Sequence, residues 1–223
     1  MTDPTRVLII EDHELLAHSL GMALRAEGYQ VHVSALVSLE GIIAEACGLR
    51  PHAVLLDLDL GGAVGDGVGL IEPLTRAGAR VVVVTGSTEG HRHGMCLEQG
   101  AVAVLDKRVS YDRLLAVVVA VAEGRDPMDS ARRHSLLAEL RSWRSAHVRR
   151  MEPFERLTPR EKQVLGGLLE GRSAEVIARD WVVSETTVRT QIRGVLTKLG
   201  VSSQLSAVAA ARSAGWSLEA GEA

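Results

Sequence analysis

The 223-residue chain predicts an α/β fold, a doubly wound five-stranded parallel sheet, followed by a small all-α domain. Three observations carry this. Short apolar runs alternate with helix-period segments as far as residue 123, several runs deliver a polar or charged residue to their own ends, and from residue 154 onward only helical patterns remain. The expected organisation is a sheet domain over 1–123, a helical linker over 124–153 and a helical domain over 154–223.

Composition narrows the class. A net charge of −3 and 24% charged residues describe a soluble globular protein. With three Trp, two Tyr and one Phe, stacking on single-stranded bases is excluded as a main binding mode. Cys47 and Cys96 show neither metal spacing nor a disulfide framework, as in a reducing cytosol. Met1-Thr2-Asp3-Pro4 lacks a basic stretch leading into an apolar one, and no apolar run reaches membrane length, so a cytoplasmic location is expected.

The sheet is built around His52 to Leu60, where four apolar residues, Ala53 to Leu56, lie between Pro51 and a glycine cluster at Gly61, Gly62 and Gly65. Such a run reads as a central strand buried on both faces, and it ends in a carboxylate, Asp57. A buried carboxylate needs partners. Before it come a strand at Val7 to Ile10, a helix from His13 with Leu16, Leu20 and Leu24 on one face, a strand at Tyr29 to Val33 and a helix at Leu39 to Cys47. After it come a glycine-rich loop, a helix at Leu70 to Ala77, a strand at Val81 to Val84, a helix at Thr88 to Gln99, a strand at Ala101 to Leu105 and a helix at Ser110 to Glu123. Right-handed crossovers bring the strand ends to one edge, where sites form in open parallel sheets. That edge receives Glu11, Asp12, Asp57, Thr85 and Lys107.

Val7 to Glu123 resembles the receiver domain of bacterial response regulators. The motif is an acidic pair after the first strand, a phosphoacceptor aspartate after the third, Thr or Ser after the fourth and Lys after the fifth, here Glu11 and Asp12, Asp57, Thr85 and Lys107. The resemblance implies a flavodoxin-like sheet, Asp57 as phosphoacceptor and a sensor histidine kinase as donor. Clustered carboxylates suit a hard divalent cation, so Mg²⁺ is the expected ion, held by Glu11, Asp12, Asp57 and, by resemblance, the backbone carbonyl of Asp59. Lys107 and Thr85 would bind phosphoryl oxygens. Two charge-assisted hydrogen bonds supply roughly 3 to 6 kcal/mol, against about 5.5 to reverse a two-state equilibrium. Two positions depart from the pattern. Val104 stands where an aromatic switch residue is usual, and Gly61 and Gly62 replace the usual Pro, which should loosen that loop. His13 reads as a turn or helix-start residue rather than a ligand, and His91 and His93 as solvated loop.

From Gly124 the composition shifts to an Arg-rich amphipathic segment, Met128 to Met151, with Leu136, Leu140, Trp143 and His147 on one helical face, fit to pack on a domain or on a second copy. Thr158-Pro159-Arg160-Glu161 is a helix start. Gly171 stops that helix; a second runs from Ser173 to Trp181, a third from Ser184 to Gly200 and a fourth from Ser203 to Ala214. The tight Val182-Val183-Ser184 turn makes the second and third a helix-turn-helix. No acidic residue lies between Glu185 and Glu219, so Arg189, Arg193 and Lys198 form a clean cationic face, with Thr187, Thr190 and Thr197 beside it.

Leu157 to Ala211 resembles the LuxR-type helix-turn-helix of NarL/FixJ response regulators through LTPREKQVL, VSETTVRTQI and KLGV. The resemblance implies double-stranded DNA as partner, with Arg189, Thr190 and Arg193 reading bases and Ser184, Thr187 and Lys198 on phosphates. Leu205 and Val208 resemble dimerisation residues, and a homodimer is expected: a bidentate base contact gives about 1 to 3 kcal/mol, whereas specific sites exceed non-specific ones by roughly 4 to 10. The chain is therefore expected to be a phosphorylation-controlled, non-enzymatic transcription factor that uses Mg²⁺. The alternatives are a phosphorylation-independent regulator, suggested by Val104, and a haloacid-dehalogenase-like phosphatase, suggested by Asp57-Leu58-Asp59 with Thr85 and Lys107.

Overall fold

The computed structural model describes residues 5–62 and 64–218. The expectations placed on Met1 to Pro4 and on the end of the helical domain lie outside the described residues. The chain divides into two compact units that meet between Ser142 and Trp143.

The first unit runs β1 (Arg6–Ile10), α1 (Glu14–Ala26), β2 (Gln30–Val33), α2 (Leu39–Leu49), β3 (Ala53–Leu56), β4 (Asp59–Gly61), β5 (Gly65–Asp66), α3 (Val68–Arg76), β6 (Arg80–Thr85), α4 (Gly90–Glu98), β7 (Ala103–Asp106) and α5 (Tyr111–Ala122). The main sheet has the order β2-β1-β3-β6-β7 and every pair in it is parallel. β3 is central and fully buried because both its faces are covered. Its pleat sends Val54 and Leu56 into the core under α2, α3 and α4, and Ala53 and Leu55 into the core under α1 and α5. Leu56 lies opposite Ile10 on one side and Val83 on the other, so Glu11 and Asp57 leave the sheet at the same level. Thr85 pairs with Asp106, which puts Lys107 just beyond that edge.

Three local expectations are corrected. The core stripe of α1 is Ala17, Gly21 and Leu24, with Leu16 and Leu20 only partly buried. Ala17 and Leu24 of that stripe pack into the core under α1 and α5. The glycine-rich loop after Asp57 is a short antiparallel hairpin, β4 with β5. Its turn uses positive φ at Gly61, Gly62 and Gly65 (56°, 46° and 71°), where L side chains are strained. His91 and His93 are on α4 rather than in a loop; both are partly buried, and His93 Nε2 lies 2.8 Å from the Ser87 carbonyl.

Helix α6 (Ser130–Glu155) is longer than its apolar spacing implied, with Pro153 tolerated in its last turn. Its first half belongs to the first unit, where Leu136 and Leu140 are buried over a notch in α4: added Cβ atoms would stand 2.5 Å from the Leu136 carbonyl at Gly94 and 1.6 Å from Glu139 Oε2 at Gly90. The second unit holds the end of α6 together with α7 (Pro159–Leu169), α8 (Ala174–Asp180), α9 (Glu185–Leu199) and α10 (Gln204–Ala214). Thr158 and Glu161 form a reciprocal capping box at α7. Val164, Ile177, Val188 and Ile192 fill one core; Phe154, Leu165, Val195 and Trp216 fill another.

Candidate functional site

The strand ends of the first unit assemble one polar cluster. Asp57 and Glu11 are 2% and 6% exposed, and Lys107 Nζ joins them, 2.9 Å from Asp57 Oδ2 and 2.8 Å from Glu11 Oε2. The other Asp57 oxygen accepts from the Leu58 N–H at 2.8 Å. Burial pushes the Asp57 carboxyl above its ordinary range against the hydrogen bond from Lys107, and the neighbouring Glu11 charge pushes the same way. Burial works against the Lys107 ammonium, but its bonds to Asp57 and Glu11 outweigh it and hold the proton more firmly. Two carboxylates thus share one lysine.

On the solvent side the donors are Asp12 and His13. Nδ1 of His13 lies 3.0 Å from Glu11 Oε1 and 2.9 Å from Asp12 Oδ1, and these bonds, Glu11 first, raise its affinity for a proton. His13 does stand at the N-cap of α1, though its side chain makes no capping hydrogen bond. Among the described residues Glu11, Asp12, His13 and Asp57 form a group whose ligand atoms all lie within 4.8 Å of one another. His13 thus lies beside the acidic pair in space as it does in sequence.

The remaining expected residues take different places. Thr85 is fully buried, its hydroxyl accepts from the Ser87 N–H at 3.1 Å, and its carbonyl accepts from the Lys107 N–H at 2.9 Å. Val104 is partly buried against the core under α2, α3 and α4. Asp59 opens β4, and its carboxylate is bound by Arg92 of α4 at 3.2 Å. The same guanidinium reaches Asp66 at 3.1 Å. Nothing in the sequence spacing singled out Arg92.

In the second unit Ser184 caps α9, its hydroxyl accepting from the Thr187 N–H at 3.1 Å. Thr187, Arg189, Thr190 and Arg193 are exposed, and Val188, Ile192 and Val195 of the same helix are buried. The cationic face is less clean than the sequence implied. Arg189 is held by Glu185 one turn earlier, Nη2 to Oε1 2.6 Å, and Lys198 by Glu161, Nζ to Oε2 2.6 Å. Only Arg193 of the three has no carboxylate partner among the described residues. Sequence order hid the second pair because its members are 37 residues apart. On α10, Leu205 is 80% exposed and Val208 packs partly on the core.

Comparison with known proteins accounts for both units. Residues 7–119 match the response regulator receiver domain, and residues 155–211 match the bacterial regulatory proteins of the luxR family. The chain belongs to the response regulators. It is 28% identical over 210 residues to a nitrate/nitrite response regulator homolog of Haemophilus influenzae, covering 93% of this chain and 96% of that one. It is 30% identical over 206 residues to the nitrate/nitrite response regulator NarP of Escherichia coli, covering 92% and 93%. Among solved structures, the response regulator RcsB in its DNA complex matches with a TM-score of 0.51 at 21% identity, covering 95% of this chain and 99% of that one. A CheY-like receiver from Methanospirillum hungatei matches 55% of this chain and 96% of its own at a TM-score of 0.50 and 25% identity. The expected architecture therefore holds: a receiver-type sheet followed by a LuxR-type helical domain in a transcription-regulating response regulator of a two-component system.

Proposed function

We propose that Asp57 accepts a phosphoryl group from a sensor histidine kinase and that this controls DNA binding by α9 as a homodimer. The observation that carries the reading is the lysine shared between two buried carboxylates at the sheet edge. Lys107 is placed to leave one carboxylate for an incoming phosphoryl oxygen while keeping the other, and it stays protonated in doing so. The donor set fits Mg²⁺: Glu11, Asp12, Asp57 and the Asp59 carbonyl are hard oxygen ligands. When bound, that ion neutralises charge between Asp57 and the phosphoryl group. Asp57 attacks phosphorus and becomes an acyl phosphate as the P–N bond to the kinase's phosphohistidine breaks and its imidazole leaves; Lys107 then pairs with a phosphoryl oxygen, and the Thr85 hydroxyl turns from Ser87 to another. Val104 carries no ring that could follow Thr85, so the coupling is either weaker or carried by packing.

At DNA, Arg193 is the readiest base reader, and Arg189 must exchange Glu185 for a guanine edge. Thr190 lies beside them. Ser184 and Thr187 face phosphates at the helix start, and Lys198 keeps donors for a phosphate beyond the one given to Glu161. Leu205 and Val208 are assigned to the dimer contact. The working division remains receiver 1–123, linker 124–153 and DNA-binding region 154–223. Among the described residues no helix is long and apolar enough to cross a membrane; the proposed location is cytoplasmic and the proposed role non-enzymatic. Incubation with Mg²⁺ and acetyl phosphate followed by intact-mass analysis tests the assignment. One phosphoryl adduct on wild type and none on Asp57→Asn is expected; equal uptake by the mutant overturns it.

A further inference from the structure

The loop after Asp57 lacks the proline usual in receivers, yet it is neither open nor unsupported. It folds as the β4–β5 hairpin, and its far end returns against the Asp57 main chain. Gly67 donates to the Leu58 carbonyl at 2.7 Å, and a Cβ at Gly67 would stand 2.3 Å from the Asp57 carbonyl oxygen. Movement of the hairpin is therefore felt at the phosphoacceptor backbone.

Leu60 and Val64 anchor the hairpin in the core, and a charged side chain clasps it from α4. Arg92 Nη2 binds Asp59 at 3.2 Å at the start of β4 and Asp66 at 3.1 Å at the end of β5. One guanidinium thus closes both strands at once. Its side chain is 22% exposed against 64% and 60% for the two carboxylates. Asp66 also accepts from the Val68 N–H at 3.0 Å, which ties the clasp to the start of α3.

The helix from which Arg92 reaches is closely packed. Cys96, one turn further along α4, is fully buried. At 100° per residue, Arg92 projects roughly opposite Gly90 and Gly94, and those two glycines receive the backbone and side chains of α6. α4 is held from behind where it reaches forward.

We propose that Arg92 is a positioning residue for phosphoryl transfer: it holds the Asp59 segment, and through Gly67 the Asp57 backbone, in the geometry that cation and phosphoryl group require. It takes the place of the proline that is missing from the loop. The inference rests on Asp57 being the phosphoacceptor and names a residue that the receiver motif does not contain. Lysine should substitute only in part, because its compact, strongly hydrated ammonium on a flexible stem is less preorganised for this bond than a planar guanidinium.

The test compares wild type, Arg92→Met, Arg92→Lys, Asp66→Asn and the Arg92→Met/Asp66→Asn double variant. Asp66→Asn keeps an acceptor for Val68 and loses only the charge. Three quantities are read: the Mg²⁺ dissociation constant by calorimetry, the rate of phosphoryl uptake from acetyl phosphate, and amide exchange over residues 58–67. Arg92→Met should weaken Mg²⁺ binding and slow uptake about 10-fold, with faster exchange in the hairpin and a melting temperature close to wild type. Asp66→Asn should act in the same direction, the double variant should be no worse than Arg92→Met, and Arg92→Lys should recover only part. Unchanged Mg²⁺ affinity and hairpin exchange in Arg92→Met would overturn the proposal, as would losses that add in the double variant. A wild type that binds Mg²⁺ but takes up no phosphoryl group would instead overturn the phosphoacceptor reading, leaving the clasp to be judged on affinity and exchange.

Discussion

Each unit of this chain sets a buried carboxylate against a lysine, and the two arrangements have opposite characters. Glu161 accepts from Lys198 at 2.6 Å and from the Thr158 N–H at 2.7 Å, and among the described residues no second carboxylate acts on it. Burial pushes its carboxyl up, but the bonds from Lys198 and Thr158 prevail and leave it below the ordinary range. Asp57 has a comparable lysine at 2.9 Å, yet Glu11 shares that lysine and the net displacement is upward. The first pair is satisfied and braces α7 against α9, where Gly194 makes room for the glutamate: a Cβ there would lie 2.4 Å from Glu161 Oε1. The second is short of positive charge, which suits the cation and phosphoryl group proposed for it.

Substitutions separate the two characters. The largest effect is expected from Lys107→Met, which leaves two buried carboxylates without their cation and removes the donor for the phosphoryl oxygen. Phosphoryl uptake should slow by about 10²-fold or more, read as the adduct rate by intact mass; a rate within threefold of wild type would place Lys107 outside the chemistry. Next comes Glu161→Gln, which strips the charge facing Lys198 and weakens the capping box. The second unit should lose about 1 to 2 kcal/mol, read by chemical denaturation, while phosphoryl uptake stays unchanged.

Asp57→Asn should move stability the other way. A carboxyl whose folded pKa is raised ionises more readily in the unfolded chain, so its charge opposes folding at neutral pH and the opposition fades as pH falls through the raised value. In EDTA at pH 7 the first unit should gain about 1 kcal/mol on Asp57→Asn; a loss of stability would show the site to be satisfied after all. Glu161 has the opposite sign. Its lowered pKa gives stability that is complete above the unfolded value and is lost as pH falls through the folded one. Melting of the second unit below about pH 4.3 should therefore weaken in wild type and weaken less in Glu161→Gln. The smallest change expected is at Val182, exposed with φ of 57° in the turn before α9. Val182→Gly relieves a left-handed β-branched residue and should stabilise the second unit by up to about 1 kcal/mol; destabilisation would mean that the turn is not strained.

The sheet and its polar edge were legible because strand ends are marked locally: four apolar residues and then Asp57, four and then Glu11. The capping box at Thr158 and Glu161 was legible for the same reason, being written within four residues. What escaped depends on partners distant in sequence. Lys198 reads as a free cation until Glu161 is seen beside it, and Arg92 is anonymous until α4 brings it over Asp59 and Asp66. The hairpin escaped because strands of three and two residues among glycines have no detectable period. Glu185 on Arg189 was within reach, since an i,i+4 pair on a helix face is a local signal.

The central claim is that the crowded carboxylate, and no other group, is the one that reacts. Intact-mass analysis after exposure to Mg²⁺ and acetyl phosphate, with wild type beside Asp57→Asn and Glu161→Gln, addresses it directly. A single base-labile phosphoryl adduct on wild type and Glu161→Gln, absent from Asp57→Asn, is the expected result. An adduct that persists in Asp57→Asn, or none on wild type under conditions that modify another receiver, would contradict it.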